Sequence, residues 1–538
     1  MRVIDIFCGA GGFSEGFRQA GFEVIWGIDK WLPAVITHQK NHPSSNTVLD
    51  DVERIAFLSD EEFHRIVPDS EIIIGSPPCI AFSNSNKSGK GDKGKGIRLI
   101  EAYLRIVARK KNKVDSILKY WILENVPNVQ SYIKEEYSAE DLELSGNFVL
   151  KVKFESSKLY SAQYFGVPSK RTRYICGNFP EPQKTIDSDE DLIHLAYVLN
   201  KLGIPKQKPD SSTIPDPNYN FIMPSSDVTD HHYIQELAEF EWEKAKQLKQ
   251  DKGYMGKMSF PEDINRPART VMATMSFSAR ESMIFSYGKD RYRAPTIREV
   301  ACLMSFPIDY QFYGKSIGTK YHLIGNAVPP KLSYAFAKAI AQEENLDIPN
   351  SYILLNHAKN DTEFINLNWH WIPKRVEVAR NPLARFKYHI PYLIINTYRV
   401  ELTNHHSDFK VRDFRWDVEI HKSQGPRARK YIPQINETIF TNTEREIINQ
   451  FKSSIENRLT SFGDFQKSYC LPENERSDAN LIGPYELLEQ VRDFLDDFAK
   501  FHDCSEDFLI DQEPFILPKI IVLGYFILSS IIGKMDNF

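Results

Sequence analysis

The sequence predicts an α/β fold organised on an open sheet, and three stretches carry that expectation. Arg2-Val3-Ile4-Asp5-Ile6-Phe7 reads as a first strand, Cys8-Gly9-Ala10-Gly11-Gly12 as a glycine turn, and Phe13 to Ala20 has helical spacing. Ile72-Ile73-Ile74 is a β-branched run that stops at Gly75-Ser76, where Pro77 and Pro78 hold Cys79 in a stiff, non-helical turn. Tyr120-Trp121-Ile122-Leu123 is another buried strand, ending at Glu124-Asn125-Val126-Pro127. Polar and nucleophilic groups therefore collect at the carboxyl ends of strands, the edge where open α/β sheets bind their ligands.

Composition sets bounds without choosing a function. Two or three domains are expected for 538 residues, 42% of them hydrophobic and 26% charged. A net charge of −5 neither favours nor excludes nucleic acid, because binding needs a local basic face. The six cysteines form no CxxC pair and no metal spacing, so no metal site is expected and the thiols read as reduced and intracellular. No signal peptide opens the chain, and the longest apolar run, Ile520 to Ile532, is too short to span a membrane. It reads as a buried helix.

In chain order, the glycine turn reads GxGG, a weak signal that also fits a tight βα turn. Glu23 to Ile28 is a second strand that ends at Asp29, placed either to accept hydrogen bonds from ribose hydroxyls or to cap a helix. Asp50-Asp51-Val52 follows a third strand. Asn84 to Gly96 interleaves four lysines with four glycines; it reads as a solvated loop or as a lid closing over a polyanion. Leu99 to Ala108 returns to helical periodicity. In Ser169-Lys170-Arg171-Thr172-Arg173, the two arginines share one face of an extended segment, as surface charge or as binders of an anion or polar edge. Tyr233 to Gln250 reads as one charged amphipathic helix, and Thr296 with Glu299 as a capping box. His231-His232 and His405-His406 read as ordinary surface residues.

These motifs, with Tyr164-Phe165-Gly166-Val167-Pro168, Phe306-Pro307 and Gly325-Asn326-Ala327-Val328, stand in the order seen in cytosine-C5 methyltransferases. Over residues 1 to about 345 the chain resembles the DNA (cytosine-5) methyltransferases of prokaryotic restriction-modification systems. The resemblance implies a Rossmann-like sheet dependent on S-adenosyl-L-methionine in residues 1–179, completed by 322–345. It also implies a smaller target-recognition domain at 180–321, and leaves 346–538 as an α+β domain outside the family core. Double-stranded DNA is the implied substrate, a cognate restriction endonuclease the implied system partner, and the prokaryotic cytoplasm the implied location. By this likeness Phe7, Gly9 and Gly11 surround the cofactor. Asp29 takes its ribose, Asp51 and Val52 its adenine, and Pro78, Leu99 and Asn326 line the methionine side; Lys30 and Val328 belong to the same set. Ile80 and Ser169 depart from the family pattern, which commonly has glutamine at both places.

The residue types suit the implied chemistry. Cytosine C5 becomes nucleophilic once a thiolate adds at C6, a task for Cys79. Glu124 would hold N3 and the exocyclic amine, and Arg173, supported by Arg171, would donate to O2. The cytosine must leave the duplex stack to reach Cys79.

Two other functions compete: an RNA cytosine methyltransferase, and a catalytically inactive DNA-binding module. Beyond residue 346, Trp369 to Lys430 holds 13 Lys/Arg against 6 Asp/Glu, and residues 451–538 hold 8 against 16. The basic, aromatic stretch reads as a solvated face or as an extra DNA-contacting module. Asp417-Val418-Glu419-Ile420-His421-Lys422 invites a nuclease reading, but the lysine is one residue too far for acid-x-Lys spacing.

Overall fold

The structure is a computed structural model that describes residues 1–78, 93–205, 212–250, 258–274, 276–277, 279–357, 361–423, 429–510 and 515–536. Cys79, Ile80, residues 84–92 of the Lys/Gly segment and Arg427 lie outside the described residues. The chain separates into two compact units. One comprises Met1–Leu237, Pro261–Phe277 and Glu281–Pro373; the other comprises Ala238–Phe260, Ser278–Arg280 and Lys374–Phe538.

The first unit is built on a seven-stranded sheet. Its strands are β1 (Arg2–Ile6), β2 (Glu23–Asp29), β3 (Asn46–Leu49), β4 (Ile72–Gly75), β5 (Tyr120–Asn125), β6 (Lys158–Ser161) and β7 (Thr172–Asn178). The spatial order is β3-β2-β1-β4-β5-β7-β6. The first five run parallel, whereas β7 is antiparallel to β5 and β6 antiparallel to β7. Strands covered on both faces should be apolar throughout rather than alternating. Accordingly, Ile4 and Ile6 enter one core with Ile73 and Trp121, while Val3 enters another with Ile72, Ile74, Phe17 and Phe336. Chain order reverses between β1 and β4, so the loops after these two strands diverge and leave a crevice at their carboxyl ends. The glycine turn leaves β1 there, and Ser76-Pro77-Pro78 leaves β4.

Five helices shape that edge. They are α1 (Gly12–Gln19), α2 (Leu32–Asn41), α3 (Val52–Ala56), α4 (Lys93–Lys111) and, late in the chain, α5 (Ile297–Leu303), which carries the expected capping box of Thr296 and Glu299. Then α6 (Ile317–Asn326) and α7 (Pro330–Glu343) return to the sheet, α7 packing on α1. Gly11 has φ +85°, and a Cβ there would lie 2.5 Å from the Tyr310 hydroxyl and 2.8 Å from His42 Nε2. Only glycine fits that turn. The Tyr310 hydroxyl in turn donates to the Ala10 carbonyl at 2.5 Å, tying a residue 300 positions later to the turn.

The second unit holds a four-stranded antiparallel sheet of β8 (Lys387–His389), β9 (Tyr398–Thr403), β10 (Asp417–Lys422) and β11 (Arg429–Tyr431). One face carries Val400, Leu402, Val418 and Ile420 into a core with α8 (Pro484–Phe501) and α9 (Lys519–Met535). The run from Ile520 to Ile532 is thus a buried helix, as expected. No helix among the described residues is long and apolar enough to cross a membrane.

Three local expectations change. His231 and His232 are buried, not on the surface; Asn368 Oδ1 accepts both of their backbone N–H groups at 2.8 Å. The charged helix begins at Glu239, because Tyr233 is buried with its hydroxyl accepting the Ile297 N–H at 2.8 Å. Of the Lys/Gly segment, Lys93 to Gly96 forms the first turn of α4.

Candidate active site

The crevice between β1 and β4 opens into a cavity of about 450 Å³. Phe7, Gly9, Asp29, Lys30, Pro78, Leu99, Asn326 and Val328 all line it, although they come from five separate parts of the chain. The volume suits a cofactor-sized ligand. Asp29 organises the floor. One carboxylate oxygen accepts the Gly9 N–H at 3.1 Å and the other the Trp31 N–H at 2.9 Å, so the carboxylate braces the glycine turn and the entry to α2 together. Burial raises its pKa, partly offset by these backbone donors. Its position permits ribose hydroxyls to add donors, the chemistry expected of it. Phe7 holds φ +60° at the end of β1, a strained conformation that a functional edge can retain.

Other expected cofactor residues do not line the cavity. Gly11 faces Tyr310 and His42. Asp51 caps α3, accepting the Glu53 N–H at 2.8 Å, and the Val52 side chain is in the core. Sequence reasoning missed Trp31, Lys95 and His322, which also line the cavity. The Trp31 and His322 rings meet edge-on with centroids 4.9 Å apart. Neither ring belongs to a motif, so only the fold could bring them together.

Beside this cavity the strand ends present a polar group. Glu124, buried at the end of β5, accepts the Ser76 hydroxyl at 2.5 Å and faces Arg173 Nε at 3.0 Å. Arg173 lies on β7, the antiparallel neighbour of β5, which is why residues 49 apart in sequence meet. Asn125 Nδ2 donates to the Pro77 carbonyl at 2.9 Å and so pins the Pro-Pro turn that leads to Cys79. The sequence offered Asn125 only as a polar strand end; its role as a brace needed the structure.

Arg171 points elsewhere. It is buried and donates to the carbonyls of Gly325 and Ala327 at 3.0 Å each and of Val271 at 3.3 Å. It therefore fixes the C-terminal end of α6, where Asn326 enters the cavity wall. Gly325 allows this close approach: a Cβ there would lie 2.4 Å from the Ala273 Cα. Ser169 is also accommodated, its buried hydroxyl donating to the Leu303 carbonyl at 2.8 Å.

A family profile described as C-5 cytosine-specific DNA methylase matches residues 1–342, well over half of the chain. The chain belongs to this family. It is a DNA (cytosine-5-)-methyltransferase, with the mixed α/β sheet and parallel core of the S-adenosylmethionine-dependent methyltransferases. Among relatives, the methyltransferase is 30% identical over 352 residues to a chain named as a type II methyltransferase from Methanocaldococcus jannaschii; the match covers 64% of this chain and 100% of the relative. It is 28% identical to the type II methyltransferase M1.HphI of Haemophilus parahaemolyticus, over 63% of this chain and 86% of that one. It is 25% identical to M.MthTI of Methanothermobacter thermautotrophicus, over 64% and 98%.

The nuclease-like segment of the second unit forms β10. Its Glu419 and His421 share a face with Glu401 of β9, and their ligand atoms lie within 4.8 Å of one another, a grouping that the sequence did not anticipate. Lys387, at 3.0 Å, and Arg399, at 2.5 Å, pair with Glu401, and Lys430 pairs with Glu419. Side-chain cations already balance both carboxylates.

Proposed function

We propose that the enzyme transfers a methyl group from S-adenosylmethionine to C5 of a cytosine flipped out of double-stranded DNA, with Cys79 adding to C6. The group formed by Glu124, Ser76 and Arg173 carries this reading, because it stands beside the Pro77-Pro78 turn and next to the cavity. The residues of the cavity fit the cofactor. Asp29 offers carboxylate oxygens to a ribose, Phe7 and Trp31 offer aromatic walls, and Pro78, Leu99, Asn326 and Val328 form the far side. Bound there, S-adenosylmethionine supplies an electrophilic methyl group.

The side chains then divide the work on the base. The Cys79 thiolate forms a bond to C6, and the electron pair displaced from the C5–C6 double bond is delocalised toward O2 and N3. Glu124 hydrogen-bonds N3 and the exocyclic amine, supplying a proton as that charge develops. Arg173 donates to O2, and its contact with Glu124 keeps both groups aimed at one edge of the ring. Ser76 orients the carboxyl group, and Arg171 positions the α6 end without touching the base. Once C5 carries the methyl group, loss of its proton to a base or water restores the double bond and expels the thiolate. Residues 180–321 read base edges in this scheme, and 1–179 with 322–345 carry the chemistry. The type II names of the relatives favour the modification arm of a restriction-modification system, with a cognate endonuclease as partner.

Cys79→Ser should lower methylation by at least about a thousandfold while retaining cofactor and duplex binding. Duplex DNA carrying 5-fluorocytosine should trap the wild-type protein covalently. Near-normal methylation by Cys79→Ser would remove the thiol from the mechanism. Methylation of tRNA in preference to duplex DNA would replace the substrate.

A further inference from the structure

A second cavity, of about 440 Å³, lies between α1, α7 and the loops at residues 183–185, 218–220 and 349–352 of the first unit. It shares no lining residue with the cofactor cavity. Among the described residues, three lysines, Lys184, Lys331 and Lys338, line it, and no aspartate or glutamate does. Its other walls include aromatic and carboxamide side chains, with Thr185, Ser351, Pro349 and two alanines among them.

Lys331 is the informative residue. Its side chain passes against Gly166, so that a Cβ on Gly166 would lie 3.4 Å from the lysine Cδ and 3.5 Å from Nζ. Nζ also sits 5.8 Å from the centre of the Tyr219 ring. Among the described residues this ammonium donates no hydrogen bond and makes no ion pair. The Asp216 carboxylate acts on it electrostatically, but already accepts the N–H groups of Asn218, Tyr219 and Ile308. Burial accordingly pushes the Lys331 pKa down. A half-buried ammonium with three donors and, among the described residues, no hydrogen-bonded acceptor suits an anion. The rings beside it are fixed. Tyr219 donates its hydroxyl to the Ser305 carbonyl at 3.0 Å, and Tyr352 donates to Asp309 at 2.7 Å. The two rings lie 4.8 Å apart, leaving a rigid aromatic wall.

We propose that this cavity binds a nucleotide, with its phosphate on Lys331 and Lys184 and its base against the tyrosine wall. Lysine ammonium groups recognise phosphate as point charges, and aromatic rings accept any base by stacking. The volume is adequate for a mononucleotide. A sulfonium cofactor is cationic and would be repelled by three lysines with no acid among them. Duplex DNA presents its phosphates on a convex rod and does not enter a recessed cavity of this size.

Calorimetry on the full chain, with the cofactor cavity saturated by S-adenosylmethionine, tests the proposal using AMP, GMP, their nucleosides and inorganic phosphate. At least one nucleotide should bind saturably, and at least tenfold more tightly than either phosphate or its nucleoside. Lys331→Met should weaken that binding tenfold or more and leave cofactor affinity unchanged. If Lys331→Met does not fold, the exposed double variant Lys184→Ala/Lys338→Ala should weaken nucleotide binding at least threefold. No saturable nucleotide binding, or phosphate binding as tightly as the nucleotide, would overturn the proposal. So would nucleotide affinity unchanged in the folded variants, or variants that lower duplex affinity while no nucleotide binds.

Discussion

Two carboxylates of the seven-stranded sheet, Asp5 and Asp29, and two of the four-stranded sheet, Glu401 and Glu419, are shifted in opposite directions. Asp5, buried on β1, is raised by burial from its ordinary 3.8 to about 8, and burial also raises Asp29 at the end of β2. Glu401 and Glu419, equally buried on β9 and β10, sit below the usual carboxylate range. There burial is more than offset, by Arg399 and His421 at Glu401 and by Lys430 and His421 at Glu419. The difference lies in the partners. Asp5 accepts from the Ser14 hydroxyl at 2.7 Å and Asp29 from backbone N–H groups, so neither meets a side-chain cation at ion-pair distance among the described residues. Glu401 and Glu419 meet three. A carboxylate held by neutral donors beside a cavity stays open to a ligand; one enclosed by cations is a closed structural element.

The largest effect should come from breaking the closed element. Glu419→Ala leaves Lys430 without its acid and His421 with Glu401 alone, and should cost about 3 kcal/mol in urea unfolding, with cofactor affinity unchanged. Replacing Glu419 and Lys430 together with leucine should recover part of that loss, because the buried carboxylate is exchanged for an apolar group while Lys430 is exposed. If Glu419→Ala instead changed cofactor binding, the separation of the two regions would fail.

Asp29→Ala should act in the reverse sense. It should weaken S-adenosylmethionine by about 1.5–3 kcal/mol in calorimetry, the worth of a charge-assisted hydrogen bond. Cofactor affinity equal to wild type would mean that the carboxylate only braces the glycine turn.

The smallest effect is in pH dependence, and its sign differs between the regions. Because the folded pKa of Asp5 is raised, its contribution is fully present below about pH 4 and is lost as pH rises toward 8. Asp5→Asn should therefore flatten the decline of melting temperature between pH 4 and 8. Glu419 is lowered, so its contribution is present above its ordinary 4.5 and lost as pH falls. Glu419→Gln should flatten the acid limb instead. The same slope change in both variants would refute the contrast.

Much of the site was legible because its signals are local. Proline after Ser76, glycine at 9 and 11, and Glu124 at the end of an apolar run each report backbone conformation within a few residues. The aromatic, basic stretch from Trp369 to Lys430 was not legible in the same way. Trp416, Phe386 and Tyr398 prove to be core, and several of its cations pair with Glu401 and Glu419, acids of the same stretch on the neighbouring strands β9 and β10. Composition reports how many charges a segment has but not which ones neutralise one another.

The sequence by itself determined the strands, the turns at their carboxyl ends and the chemical groups carried there, because φ restrictions and apolar runs act over neighbouring residues. Tertiary structure alone decided which groups meet. The antiparallel pairing of β5 with β7 sets Arg173 against Glu124. The return of α6 brings Asn326 and His322 to the cavity wall, and the approach of α7 to Gly166 sets the Lys331 side chain against that turn. Such meetings depend on how elements distant in the chain exclude water from one another, a property of packing that no stretch of sequence contains.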